Sequence, residues 1–200
     1  SAPGFIPVKI NGNLSVNRGF FDQQCALKWV RKNIDYFGGD NSNITLMGQS
    51  AGGLSVSTHM MSEESSEYFD KLIVCSAGAN DCMTLEQAEK IAYFFLKHNH
   101  ISGFDRLLSL PWKKLIRLKM PLAVLSTPVI DGILLKDDAK NIMKAVSFSP
   151  KPVMLGTTGD ELKMVNNKSW YKGLGIAVKE PDFLEKCLKQ YGEPGVILAD

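Results

Sequence analysis

The sequence predicts an α/β fold in which a central, mostly parallel sheet carries helices on both faces. Short apolar runs of strand length alternate along the chain with longer segments of helical periodicity, and this alternation is typical of parallel sheets. Of the 200 residues, 44% are hydrophobic and 22% are charged. That balance is typical of a globular chain with an apolar core.

The longest helical pattern occupies residues 19–37, where apolar residues such as Leu27, Val30 and Ile34 recur at helical spacing before Gly38. A glycine just beyond the last apolar position is a common helix stop. Further helices are predicted at 51–61, directly after a strand; at 84–99, where Thr84 and Gln87 fit a capping box; from Pro111; and at 181–192, between Pro181 and Gly192.

The predicted strands are short and apolar, and they occupy residues 43–47, 71–76 and 152–156. Continuous apolar runs of this length favour strands that are buried on both faces, as in a parallel sheet. The strands and helices together therefore indicate a layered α/β domain.

The charge and cysteine content exclude several classes of function. A formal net charge of +2 is too small to indicate binding to nucleic acid or to an anionic membrane. No apolar run approaches the roughly 20 residues that cross a bilayer. The four cysteines show no C-x-x-C pair and no metal-binding spacing. We expect the two that lie in apolar runs, Cys25 and Cys75, to be buried thiols.

The most informative stretch is Gly48-Gln49-Ser50-Ala51-Gly52, which lies between a predicted strand and a predicted helix. Gly-x-Ser-x-Gly in that context is the signature of a nucleophile elbow. In such a turn the serine backbone is strained, and side chains at the two glycines would collide with neighbouring backbone. Ser50 would then be an exposed nucleophile, and the Ala51 N–H would face a developing oxyanion. The alternative is a Gly/Ser-rich loop.

A serine nucleophile needs a base, and the base needs an acid that orients it. In this architecture the acid and the histidine follow the serine along the chain. Residues 156–161, directly after a predicted strand, offer Asp160 and Glu161 as the acid. The alternative is that both belong to a solvated acidic turn.

None of the three histidines is placed to serve as the base, because all of them precede that acidic loop. His59 lies on the helix that follows Ser50 and should point away from the Ser50 hydroxyl. His98 and His100 end an amphipathic helix and should be exposed. We therefore expect the base to lie outside this segment.

Residues 19–58 resemble a known family. They contain Asp-Gln, Ala-Leu-x-Trp-Val, Asn-Ile, Phe-Gly-Gly-Asp and the serine motif, and in this they resemble the type-B carboxylesterases and cholinesterase-like proteins of the α/β-hydrolase fold. The resemblance continues more loosely through 73–78, 128–135 and 153–161. It implies that residues 1–200 form a single partial α/β-hydrolase domain, an internal segment of a longer protein.

The resemblance also implies roles for residues. It makes Ser50 the nucleophile and Glu161 the triad acid, with the histidine beyond Asp200 and the rest of the oxyanion hole upstream of Ser1. It further implies a supporting hydroxyl at Ser76.

The implied activity is hydrolysis of a small-molecule carboxylic ester through an acyl-enzyme, without a cofactor. Residues 1–200 alone would then be inactive. The alternatives are a non-catalytic cholinesterase-like adhesion or scaffold domain and an inert truncated product. Nothing in the pattern indicates an oligomeric state.

Three features depart from the family pattern. Gln49 stands where members often have Glu, which removes a negative charge and weakens attraction for cationic substrates. Leu162 follows the acid where glycine is usual. The segment between residues 80 and 110 contains Cys82 alone and so lacks the cysteine pair that many secreted members carry there. Sequons at Asn13, Asn43 and Asn167 and the family favour the secretory pathway or the cell exterior, with the cytoplasm as the alternative.

Overall fold

The structure, a computed structural model, describes residues 2–78, 82–119, 127–145, 151–159 and 161. The chain divides into two compact units, Ser1–Gly159 and Asp160–Asp200. Glu161 is the one residue of the second unit that is described. The helix predicted at 181–192 and the candidate acid Asp160 therefore lie outside the described residues.

The first unit alternates strands and helices as predicted. Its helices are α1 (Ala2–Phe5), α2 (Arg18–Asn33), α3 (Ala51–Met61), α4 (Glu63–Ser66), α5 (Leu85–His98), α6 (Phe104–Leu108), α7 (Trp112–Leu115) and α8 (Ala139–Lys144). Its strands are β1 (Val8–Ile10), β2 (Asn13–Ser15), β3 (Thr45–Gln49), β4 (Lys71–Cys75) and β5 (Val153–Gly156).

The helix start predicted at Thr84 and the helix stop predicted at Gly38 are both confirmed. Helix α5 begins with a reciprocal capping box, in which Thr84 Oγ1 accepts from the Gln87 N–H at 3.2 Å and Gln87 Oε1 accepts from the Thr84 N–H at 2.8 Å. The pattern at 19–37 forms α2 followed by a 3₁₀ turn, Ile34–Phe37, which Gly38 ends with a φ of 80°. Tightening into a 3₁₀ turn is common where a helix ends.

The three predicted strands form one parallel sheet in the order β3-β4-β5. In the register, Gln49 pairs with Cys75, and Cys75 pairs with Gly156. The carboxyl ends of the three strands therefore meet at one edge of the sheet. Ser50 and Ser76, each the first residue after its strand, lie side by side at that edge.

The two faces of this sheet differ. Helix α3 covers one face, where Val56 packs with Leu72, Val74 and Phe69 in a buried cluster. On the opposite face, Met47 is 64% exposed and Met154 is 66% exposed, and both pair with Ile73. The described residues therefore supply a helical layer on the Val56 face and leave the Met47 face open.

An ion pair joins α2 to the beginning of the sheet. The Arg31 guanidinium donates to both Asp70 carboxylate oxygens, at 2.8 and 3.2 Å. Asp70 Oδ2 also accepts the Ile44 N–H at 2.8 Å, and the Asp70 N–H donates to the Ile44 carbonyl at 2.8 Å. The hydrogen bonds from the Arg31 guanidinium and from the Ile44 N–H lower the pKa of Asp70. One carboxylate thus fixes α2, the segment before β3 and the residue before β4 together.

The β1–β2 hairpin is an element that the sequence analysis did not predict. Asn11 and Gly12 join its strands with φ values of 50° and 81°. Two left-handed residues are what a two-residue hairpin loop needs, and Asn-Gly is the favoured pair for it. The signal was present in the sequence, but strands of only three residues carry little hydrophobic pattern.

Candidate active site

Ser50 occupies the turn between β3 and α3 in a strained backbone conformation. Its φ is 53° and its ψ is −120°, a region that costs a residue with a side chain about 1–3 kcal/mol. Two hydrogen bonds hold it there: the Ser50 N–H donates to the Cys75 carbonyl at 2.9 Å, and the Ser50 carbonyl accepts the Leu54 N–H at 3.0 Å. The residue itself is exposed. This is the geometry expected of a nucleophile elbow.

Gly48 is the residue that allows the turn to be so tight. A Cβ atom at this position would lie 2.2 Å from the Gly52 carbonyl oxygen and 2.8 Å from the Gly53 nitrogen. Both are backbone atoms of the first turn of α3, which has no flexible group that could move aside. Any side chain at residue 48 would therefore force α3 away from β3.

At Gly52 the expectation that an added side chain would collide with backbone is wrong. No described atom lies within 4 Å of a Cβ built on Gly52. The second close approach is instead at Gly53, where a Cβ would lie 2.7 Å from the Ala77 Cβ and 3.1 Å from the Cys75 carbonyl oxygen. Sequence reasoning missed Gly53 because the motif includes only residues 48–52.

Ala51 is the first residue of α3 and is exposed. The first N–H groups of a helix have no acceptor within the helix, and the helix dipole favours negative charge beside them. The Ala51 N–H can therefore donate to an anionic oxygen that forms next to Ser50.

Ser76 occupies the position after β4 that Ser50 occupies after β3. Its φ is 52°, and its N–H donates to the Gly156 carbonyl at 2.7 Å. Both serines thus follow a parallel strand with a positive φ, and the N–H of each donates to a carbonyl of the neighbouring strand. The supporting role implied for the Ser76 hydroxyl stays a prediction.

Glu161 is an exposed residue in a turn. It belongs to the second unit, Asp160–Asp200. Its role as the triad acid stays a prediction.

His59 is buried behind the elbow and is 2% exposed. Its Nδ1 lies 3.0 Å from Ser65 Oγ, and its Nε2 lies 2.9 Å from Gln23 Oε1. Burial lowers the pKa of His59 to about 4, so the ring is neutral at pH 7. With both nitrogens occupied, His59 has no nitrogen left to accept a proton from Ser50.

The other two histidines, His98 and His100, are exposed, as expected. The position of the base that Ser50 needs stays a prediction. Among the described residues, no cluster of three or more His, Cys, Asp or Glu side chains could hold a metal ion. Within the same ranges, no helix is long and apolar enough to cross a membrane.

The expectation that Cys25 and Cys75 are buried thiols is wrong for Cys25, which is exposed, whereas Cys75 is partly buried.

The model of the carboxylesterase family matches residues 3–191. The chain belongs to the carboxylesterase family. Its curated relatives include acetylcholinesterase 1 of Caenorhabditis briggsae, 35% identical over 178 residues that cover 72% of this chain and 26% of the relative. They also include para-nitrobenzyl esterase of Bacillus subtilis (strain 168), 32% identical over 170 residues that cover 79% of this chain and 35% of the relative.

Solved structures of this carboxylesterase family share the fold. A structure named PNB esterase matches 96% of this chain and 42% of its own length, at 28% identity and a TM-score of 0.74. A carboxylesterase of Geobacillus stearothermophilus matches 88% of this chain and 37% of its own length, at 31% identity and a TM-score of 0.70. The fold is therefore the α/β-hydrolase fold, of which this chain is a partial domain. The chain spans between a quarter and a half of the length of these relatives.

We predict opposite effects on stability for alanine at the two glycines of the motif. Gly48→Ala would destabilise the fold by about 3 kcal/mol or more, since a methyl group would overlap the backbone of α3. Gly52→Ala would leave stability unchanged or raise it by about 0.5–1 kcal/mol, because alanine is the better helix former. Urea unfolding followed by circular dichroism measures both. Equal destabilisation by the two variants would contradict the geometry.

We also predict that His59 makes stability depend on pH. The unfolded chain takes up a proton on this ring near its ordinary pKa of 6.5, whereas the folded ring does so only near 4. Its contribution is therefore complete above about pH 6.5 and falls by about 3 kcal/mol as the pH drops to 4. The loss of unfolding free energy between pH 7 and 4 should be smaller in His59→Gln than in the parent protein.

Proposed function

We propose that the protein containing this chain hydrolyses carboxylic esters of small molecules, with Ser50 as the nucleophile. The observation that carries the proposal is the backbone of Ser50, which stays strained and exposed at the carboxyl edge of the sheet. Strain of this kind persists where the surrounding structure enforces it and is concentrated at functional sites. The family relationship supports the same chemistry.

In the proposed reaction, Ser50 Oγ attacks the ester carbonyl while a base takes its proton, and the alcohol leaves as the acyl-enzyme forms. Water then attacks the acyl group and releases the acid. The Ala51 N–H stabilises the negative oxygen in both steps, since it is fixed at the N-terminus of α3 before the charge develops. No step needs a metal or a redox cofactor.

The triad is completed by Glu161 and by a histidine that lies outside residues 1–200. Glu161 orients that histidine and stabilises its charged form during the reaction. The burial and the two occupied nitrogens of His59 support placing the base elsewhere.

The first test of this proposal is covalent labelling of Ser50. In the full-length protein, a fluorophosphonate should label the parent and the matched control Ser109→Ala, whose hydroxyl donates to a carbonyl of its own helix, at Arg106. Ser50→Ala should not be labelled, because an alkoxide cannot form there. Labelling that persists in Ser50→Ala would refute the assignment. A parent protein without labelling would favour the non-catalytic adhesion or scaffold domain.

The second test separates the two candidate acids. Glu161→Gln should lower kcat about 10³–10⁴-fold, as when the acid of a serine triad is neutralised. Asp160→Asn, which removes the same charge one residue earlier, should retain kcat to within about tenfold if Asp160 does not contact the base. A loss of kcat confined to Asp160→Asn would identify Asp160, rather than Glu161, as the triad acid.

The third test concerns the charge beside the nucleophile. Gln49 is neutral and exposed, so we expect a higher kcat/KM for neutral aryl esters than for choline esters of the same acyl group. Gln49→Glu should raise kcat/KM for the choline ester by about two- to fivefold, as one charge near the surface allows. Gln87→Glu adds the same charge to α5 and should leave kcat/KM unchanged for both the aryl ester and the choline ester. A parent preference for choline esters would oppose this expectation.

A further inference from the structure

A polar cluster lies behind the elbow, and the proposed chemistry does not use it. Gln23 of α2 bridges two residues of α3: its Oε1 lies 2.9 Å from His59 Nε2, and its Nε2 donates to Ser55 Oγ at 3.3 Å. Ser55 Oγ in turn donates to the Ala51 carbonyl at 3.1 Å. On the other side of the ring, Ser65 Oγ lies 3.0 Å from His59 Nδ1.

The donors and acceptors in this cluster fix one direction for the hydrogen bonds. Because Gln23 Oε1 can only accept, His59 Nε2 carries the ring hydrogen and Nδ1 accepts from the Ser65 hydroxyl. Ser65 Oγ accepts in its turn from Gln24 Nε2 at 2.9 Å. Ser55 Oγ accepts from Gln23, so its own hydrogen goes to the Ala51 carbonyl. A directed chain of hydrogen bonds therefore runs from a buried ring to the first turn of α3.

This first turn is the part of α3 that most needs outside support. Gly52 and Gly53 follow Ala51, and glycine weakens a helix because it loses more conformational freedom on folding than other residues. Gly52 has no described atom near its Cβ direction, so packing of a side chain does not restrain it. The chain of hydrogen bonds restrains the Ala51 carbonyl from the α2 side instead.

We propose that Gln23 and Ser55 are positioning residues, which hold the Ala51 carbonyl through the directed hydrogen-bond chain from His59. Holding this carbonyl restrains the backbone dihedral angles of Ala51, and through them the preceding peptide with the Ala51 N–H and the adjacent Ser50 hydroxyl. The catalytic part of this inference rests on the proposed function. The structural part, which is the direction of the hydrogen bonds, rests on the contacts alone. Sequence spacing could not reveal it, because Gln23 and His59 come from different helices.

Ser55→Ala tests the catalytic part in the full-length protein. It removes the link to the Ala51 carbonyl while placing a better helix former in α3, so a purely structural role predicts no loss of activity. We expect kcat to fall by about three- to tenfold, the effect of one hydrogen bond, with KM and the melting temperature unchanged.

Ser55→Thr should restore kcat to within about twofold, since Thr58 already makes the same kind of bond to the Leu54 carbonyl at 2.9 Å. Ser66→Ala is the matched control, because Ser66 Oγ donates to a carbonyl of its own helix, at Glu63. Parent-like kcat in Ser55→Ala, or no rescue by Ser55→Thr, would overturn the positioning role.

A second experiment decides the structural part whether or not the protein is an esterase. The ¹⁵N NMR spectrum of the folded protein at pH 7 should show His59 with its hydrogen on Nε2, and Ser55→Ala should accelerate amide exchange at residue 55. A hydrogen on Nδ1, or unchanged exchange, would overturn the chain of hydrogen bonds. If the hydrogen-bond chain is confirmed but Ser50→Ala still hydrolyses esters at the parent rate, the proposed function fails and the hydrogen-bond chain stands.

Discussion

The close approach of β3 to the first turn of α3 is the constraint on which the rest of the site depends. A Cβ at Gly48 would lie only 2.2 Å from the Gly52 carbonyl oxygen, so the chain has room for a single residue between strand and helix. That residue, Ser50, must reverse the chain direction, and it does so with a positive φ. Its exposure and the outward N-terminus of α3 both follow from this turn. The hydrogen bond from the Ser50 N–H to the Cys75 carbonyl then fixes the turn to the next strand.

Helix α2 supports this turn from behind through polar contacts at two points along its length. Near its end, Arg31 pairs with Asp70 and thereby fixes the beginning of β4 and the segment before β3. Near its beginning, Gln23 contacts His59 and Ser55 of α3. The first contact is ionic and partly exposed, whereas the second is neutral, because burial keeps His59 uncharged at pH 7. A charged ring in that position would carry an uncompensated buried charge, which is costly. The neutral contact is therefore suited to the interior.

Sequence patterns and structure agree where the signal is local. The capping box at Thr84 and the helix stop at Gly38 were predicted from adjacent residues, and their geometry is confirmed. The Gly-x-Ser-x-Gly motif predicted the strained turn at Ser50 correctly. It did not predict that Gly53 makes the second close approach, because that contact is with Ala77 and Cys75 of another strand and its loop. Distance along the chain, rather than the strength of the motif, separates the two outcomes.

The sequence by itself determined the alternation of strands and helices, the bounds of α3 and the residue placed at the tight turn. Each of these follows from hydrophobic spacing and from backbone preferences, which act over a few residues. Only the tertiary structure decided that His59 is neutral and held by Gln23, and that Arg31 pairs with Asp70. Burial and pairing depend on which surfaces meet after the chain has folded, and residues far apart in sequence carry no local signal of that meeting. The physical reason is that desolvation and hydrogen-bond direction are properties of packed neighbours.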